Sequence, residues 1–198
     1  MKNLTALFSV YDKTDEQLAL ARLIEEQGGQ VIASGGTNNK FLGPAGVKVT
    51  DVSEITGQGP ILGHRVVTLS EEIHGGLLAK GNDLEDELDE YGWPKIDLLV
   101  CTFYPLHKTI ASFADPRENS TEINEMVDIG GPTMVSSACK GDRIVIVDNA
   151  DIPWVMEKLP QNSLRRPEIK WLQAKAVASV AAYRAAEAVF RMNEARPS

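Results

Sequence analysis

The chain has 198 residues, 43% of them apolar, and a formal net charge of −8, enough for one moderate domain with a sizeable core. A pI near 4.9 excludes the broad basic surface of a nucleic-acid-binding protein, though not a local anion pocket. No segment is long and apolar enough to span a bilayer, Met1-Lys2-Asn3-Leu4 opens no export signal, and Cys101 and Cys139 lack disulfide or metal-ligand spacing, so the chain reads as cytoplasmic with reduced core thiols.

In chain order, β-rich runs at Leu4 to Val10, Val31 to Ala33, Val47 to Val52, Ile96 to Phe103 and Ile144 to Val147 alternate with helical patterns. That alternation predicts an α/β fold, a parallel sheet with helices on its faces. Thr14-Asp15-Glu16-Gln17 reads as a capping box opening a helix through Leu20, Leu23, Ile24 and Gln27, which Gly28-Gly29 stops. Residues 82 to 92 form an acidic amphipathic helix assigned to solvent. Beyond about Pro167 the chain turns alanine-rich and helical from Trp171 through Met192, a stretch suited either to packing on the core or to supporting an oligomer. The whole is expected to be one domain over 1–198, with about 167–193 as a C-terminal helical extension.

Ligands of open α/β sheets bind beyond the carboxyl ends of the strands, and four such segments carry suitable chemistry. Ser9-Val10-Tyr11-Asp12-Lys13-Thr14 follows the first run and Ser34-Gly35-Gly36-Thr37 the second. Together they resemble a phosphate cradle of hydroxyls, unshielded amides and a lysine, although a glycine turn at a strand end often serves geometry alone. Gly63-His64-Arg65-Val66-Val67-Thr68-Leu69 offers Arg65 and Thr68 to a phosphate or ribose, and Tyr104 stands at a strand end where packing is the plainer role.

Asp128-Ile129-Gly130-Gly131-Pro132-Thr133 then runs into a helix carrying Lys140. Pro132 suits the first helical position, so Gly130 and Gly131 are expected just ahead of it, their amides favouring negative charge. An acid, bare amides and a base make a candidate reaction centre; the competing reading is a glycine turn capped by Asp128, with Lys140 in solvent. His64, His74 and His107 have no spacing that would build a metal site.

Several of these stretches share order and spacing with one family. Ala6-Leu7-Phe8-Ser9-Val10 with Asp12-Lys13-Thr14, Ala33 to Thr37, Asp51 to Gly57, Ile73-His74-Gly75-Gly76-Leu77-Leu78-Ala79, and Asp128 to Val135 with Lys140 resemble the inosine monophosphate cyclohydrolase domain, the amino-terminal half of a bifunctional enzyme of purine synthesis. Residues from about 5 to 192 take part. The resemblance implies a three-layer fold like that of methylglyoxal synthase, with a mainly parallel central sheet. It implies ring closure of 5-formamidoimidazole-4-carboxamide ribotide, a nucleotide substrate, with no metal or redox cofactor. It implies Asp128, Lys140 and Tyr104 as catalytic groups, the backbone of Ile129, Gly130 and Gly131 as oxyanion donors, and Ser9, Lys13, Ser34, Gly35, Gly36, Thr37, Arg65, Val67, Thr68 and Thr102 around phosphate and substrate. A homodimer is expected, and, because the formyltransferase half is missing, a stand-alone domain with a separate formyltransferase as partner.

Departures from the family pattern gather at the pocket. The family's Arg-Val-Lys-Thr-Leu-His-Pro run reads here as Arg65-Val66-Val67-Thr68-Leu69-Ser70-Glu71, so a catalytic lysine is replaced by Val67, for which His64 is a candidate substitute. Tyr11 replaces a serine, Thr102 an asparagine, and Gln58-Gly59-Pro60 a Phe-Pro-Glu pattern. Three readings stand: a cyclohydrolase with altered groups, a relative specialised for another nucleotide in a secondary pathway, and a non-catalytic nucleotide-binding module.

Overall fold

Five parallel strands form one sheet, its inner strands apolar on both sides as burial between two helical layers requires and its edge strand Val49–Asp51 partly exposed. They are β1 (Thr5–Val10), β2 (Gln30–Ala33), β3 (Val49–Asp51), β4 (Leu98–Thr102) and β5 (Ile144–Ile146). Their order is β3-β2-β1-β4-β5, with Leu7 paired to Ile32 on one side and Leu99 on the other. The structure is a computed structural model and describes residues 3–63 and 65–195; His64 lies outside the described residues.

Alternation along each strand divides the core in two. Ala6, Phe8, Val31, Val100 and Ile146 face α1 (Asp15–Glu26) and α9 (Ile152–Lys158), which contribute Leu20, Ile24 and Val155. Leu7, Ile32, Leu99 and Val145 face α4 (Glu71–Leu78) and α8 (Gly130–Lys140), which contribute Ile73, Leu77, Met134 and Val135. The α1 capping pair forms as read, the Thr14 amide donating to Gln17 Oε1 at 3.3 Å. Gln17 then uses its own amide on Asn149 at 2.8 Å, which ties α1 to the end of β5.

The glycine turn after β2 becomes α2 (Gly35–Thr37), continued by a π-helical turn over Asn38–Leu42. Between β3 and β4 run α3 (Val52–Thr56), α4 and the acidic α5 (Asn82–Tyr91), of which Leu88 alone is buried. After β4 come α6 (Leu106–Ser112) and α7 (Ser120–Glu125). The last helix, α10 (Arg166–Glu194), begins five residues earlier than Trp171, where the predicted helix starts, because Glu168 turns back to accept the Arg165 amide at 2.7 Å. It packs on the domain through Leu172, Gln173, Ala176, Tyr183 and Phe190. Among the described residues no helix is long and apolar enough to cross a membrane. Burial pushes both thiols up, Cys101 strongly and Cys139 to about 11, so neither is a ready nucleophile.

Candidate functional site

The strand ends place the predicted segments along one edge of the sheet. At β1 and β2, Ser9 Oγ lies 3.4 Å from Ser34 Oγ, which lies 3.3 Å from Thr37 Oγ1. Gly35 and Gly36 carry the first amides of their helical turn, which have no intrahelical acceptor, and a methyl group on Gly36 would meet only open space. Lys13 folds its ammonium over the carbonyls of Val10 and Tyr11 at 3.4 and 3.2 Å. Ser9, Ser34, Gly35 and Gly36 thus gather beyond β1 and β2, with Lys13 on the loop after β1, as the candidate cradle for an anion.

Two predicted contacts are spent on the scaffold instead. Thr37 is 1% exposed, and its hydroxyl accepts the Val10 amide at 3.1 Å, so it positions the cradle rather than lining it. Thr102 Oγ1 accepts the amides of Tyr11 at 2.8 Å and Asp12 at 3.3 Å, fixing the chain beyond β1. In both cases the nearest hydroxyl supplies an acceptor to a strand-end amide, buried at Val10 and exposed at Tyr11 and Asp12.

The Asp128 turn differs from the reading in two ways. Helix α8 starts at Gly130, ahead of Pro132, so both glycines lie inside its first turn. The Gly131 amide is not a bare donor: it donates to Asp128 Oδ1 at 3.0 Å. A carboxylate just ahead of a helix is the nearest acceptor for its orphan amides. Packing makes both glycines necessary, since a side chain on Gly130 would meet Thr68 Oγ1 at 2.8 Å and one on Gly131 would meet Phe103 at 2.9 Å. Burial raises the Asp128 pKa, opposed by the Gly131 amide, Arg184 and the Gly130 amide.

Lys140 is not brought to this turn. It is exposed and is the last residue of α8, roughly 15 Å along the axis from Gly130 at 1.5 Å per residue. The helix runs back from the carboxyl edge, and Ile144, just beyond it, donates its amide to the Asp97 carbonyl, ahead of β4, at 3.1 Å. Within one chain Lys140 and Asp128 cannot exchange a proton.

Arg65 is also turned elsewhere, exposed and bidentate to Glu125 of α7 at 2.5 Å. Val67 lines a neighbouring cleft of about 150 Å³ with Thr56, Gln58, Gly59 and Ser70. Ile129 is 47% exposed, its carbonyl occupied by the Thr133 hydroxyl at 2.7 Å. Thr68 is buried against Gly130.

Sequence reasoning missed Tyr183. Its hydroxyl oxygen accepts the Asp128 amide at 2.7 Å, and its ring meets Phe103 edge-on at 5.5 Å. The available signal was a single aromatic amid alanines, Ala181-Ala182-Tyr183-Arg184-Ala185, but only the fold brings α10 across the Asp128 turn.

A five-stranded parallel sheet flanked by helices, with hydroxyls, a lysine and a helix-start carboxyl beyond its strand ends, places the protein among α/β domains with a candidate site at the carboxyl ends of the strands. More particularly, the chain belongs to the MGS-like domain family, whose profile matches residues 16–133. It is 39% identical over 181 residues to the bifunctional purine biosynthesis protein PurH of Sorangium cellulosum (strain So ce56), covering 90% of this chain and 34% of that protein. It is 42% identical over 187 residues to PurH of Bacillus cereus (strain Q1), covering 90% and 35%. The chain thus spans about a third of the length of these relatives. Among solved structures it superposes on the crystal structure of ForH with a TM-score of 0.81 at 30% identity, covering 95% of this chain and 98% of that one.

Proposed function

We propose that this protein is a cyclohydrolase-type enzyme of purine nucleotide formation, closing the ring of 5-formamidoimidazole-4-carboxamide ribotide with loss of water to give inosine monophosphate. The reading is carried by Asp128, a carboxyl raised in pKa by burial and set by the amides of α8, on the same sheet edge as the Ser9, Lys13 and Ser34 cradle. The cradle takes the phosphate. Nucleophile and electrophile belong to one molecule, so the site has to select a rotamer and move protons.

The carboxamide nitrogen adds its lone pair to the formyl carbon; the carbonyl electron pair moves to oxygen, which gains a proton while the attacking nitrogen loses one. The hydroxyl then leaves as water, the formamido nitrogen gives up its proton, and a C=N bond forms to it. A carboxylate of raised pKa is a stronger base than an ordinary aspartate. Asp128 is assigned that exchange, and Tyr104, 42% exposed at the end of β4, the proton delivered to the leaving hydroxyl. Formation of the closed purine by purified protein, followed by ultraviolet absorbance, tests the assignment; no acceleration over buffer would overturn it.

A second reading, the same closure on a different base-bearing ribotide, is favoured by Val67, Tyr11 and Thr102 standing where the cyclohydrolase pattern has lysine, serine and asparagine. The likeness to ForH over 98% of that chain adds a neighbour of the same single-domain extent. Preference for an altered heterocycle in the same assay would select it. Under either reading Lys13→Ala is expected to raise KM about tenfold and leave kcat within about twofold, since a point charge on a non-reacting phosphate is felt equally in ground and transition states. Steady-state kinetics with a fall in kcat instead would remove Lys13 from the cradle.

The assembly we propose is a homodimer through α10. From Trp171 to Met192 its exposed face steps by threes and fours through five alanines, flanked by Val177 and Val189. Trp171, Val177, Val189 and Met192 are each more than half exposed on this helix, and small residues at the centre let two helices approach closely. Light scattering on the eluting protein is expected to give twice the chain mass, and Ala181→Glu the single mass; a monomeric parent protein at tens of micromolar would refute it.

A further inference from the structure

Tyr11 and Tyr104 stand beyond neighbouring strands β1 and β4 with ring centroids 4.7 Å apart and planes inclined at 47°. They are 41% and 42% exposed, so each ring keeps open surface beside its neighbour. This pair is held in place: the Tyr11 amide donates to both the hydroxyl and the carbonyl of Thr102, at 2.8 and 3.3 Å, and the Asp12 amide reaches the same hydroxyl. Tyr11 and Thr102, two of the departures from the cyclohydrolase pattern, are thus one structural unit. The Tyr11 carbonyl in turn receives Lys13 Nζ at 3.2 Å, which places the wall directly beside the anion cradle.

Resting on the nucleotide-site reading above, we infer that Tyr11 and Tyr104, fixed by Thr102, form an aromatic wall that selects substrates with a planar heterocyclic base on the ribose phosphate. Every such base has a π-face, so an aromatic wall recognises planarity and tolerates differences at the ring edge. It demands no charge on the base. The consequence is selectivity by ring shape, with the phosphate held independently.

Equilibrium binding of two probes to the full chain separates the parts: inosine monophosphate carries base and phosphate, ribose 5-phosphate only the latter. The parent protein is expected to bind inosine monophosphate roughly ten- to a hundredfold more tightly, the span of one base–aromatic stack. Tyr11→Ser should erase most of that ratio and leave ribose 5-phosphate affinity within about twofold, while Tyr11→Phe should preserve it. Thr102→Val, similar in shape but without the acceptor, should fall between them. An unchanged ratio in Tyr11→Ser, or an equal loss of both probes, would overturn the aromatic wall and leave the cradle standing. Binding of neither probe to the parent protein would overturn the nucleotide reading and the wall with it.

Discussion

Asp128→Asn is expected to lower kcat for ring closure by about 10² to 10⁴, the usual contribution of a general acid–base group, while KM changes only a few-fold. The asparagine keeps the carbonyl oxygen that accepts the Gly131 amide, so the turn survives and the proton carrier is lost. The same substitution should stabilise the protein at neutral pH. Burial raises the folded-state pKa of Asp128 above its unfolded value of about 3.9. A group so shifted stabilises the fold fully below the unfolded pKa and loses that contribution as pH rises through the folded value. At pH 7.5 the native protein therefore carries the cost of a half-buried charge that asparagine lacks, and by pH 4 the difference should shrink. Thermal denaturation of both proteins at the two pH values, beside their rates, checks this; a variant that keeps its rate, or is less stable at pH 7.5, would sink the assignment. The parent's rate should also fall on the acid side at a higher pH than an ordinary aspartate would give.

Gly141→Ala is expected to cost roughly 3 kcal/mol or more in folding stability and to lower Tm by about 6–12 °C. A methyl group at Gly141 would fall inside the contact distance of the Leu77 carbonyl oxygen and crowd the Leu78 backbone. That carbonyl cannot give way easily. Arg143, 7% exposed, donates to Leu77 O at 3.1 Å and Gly76 O at 3.2 Å, and also to Ala79 O, so the end of α4 is gripped from the side where space would be needed. Asp142 between them, drawn well below the usual carboxylate range by Lys170 and Lys80, anchors the same turn to α10. Gly59→Ala, where an added methyl meets nothing within 4 Å, is the control and should stay within about 0.5 kcal/mol. Chemical denaturation showing equal stabilities for the two variants would mean that α4 and α8 can slide apart without loss.

The strands were legible because a buried parallel strand must be apolar on both faces, and Leu98-Leu99-Val100-Cys101 has no other plausible place. Helix α1 was legible because its cap is local, a hydroxyl and a glutamine three residues apart. The start of α8 was misplaced for the opposite reason. Pro132 tolerates the first turn generally, and the decision to begin at Gly130 came from the Asp128 carboxylate meeting the Gly131 amide, with Thr68 and Phe103 filling the space beside the glycines.

The α/β architecture, the strand-end hydroxyls and lysine, and the acid ahead of a glycine-started helix could be read from the chain alone, because each depends on residues within a few positions of one another. Tertiary structure decided which of them meet. It put Lys140 at the far end of a straight helix, turned Arg65 to Glu125, gave the hydroxyls of Thr37 and Thr102 to strand-end amides, and laid Tyr183 against an aspartate 55 residues away. These outcomes follow from helix rise and from the pairing of amides, hydroxyls and charges across the fold, and both act between elements whose separation in the chain says nothing of their distance in space.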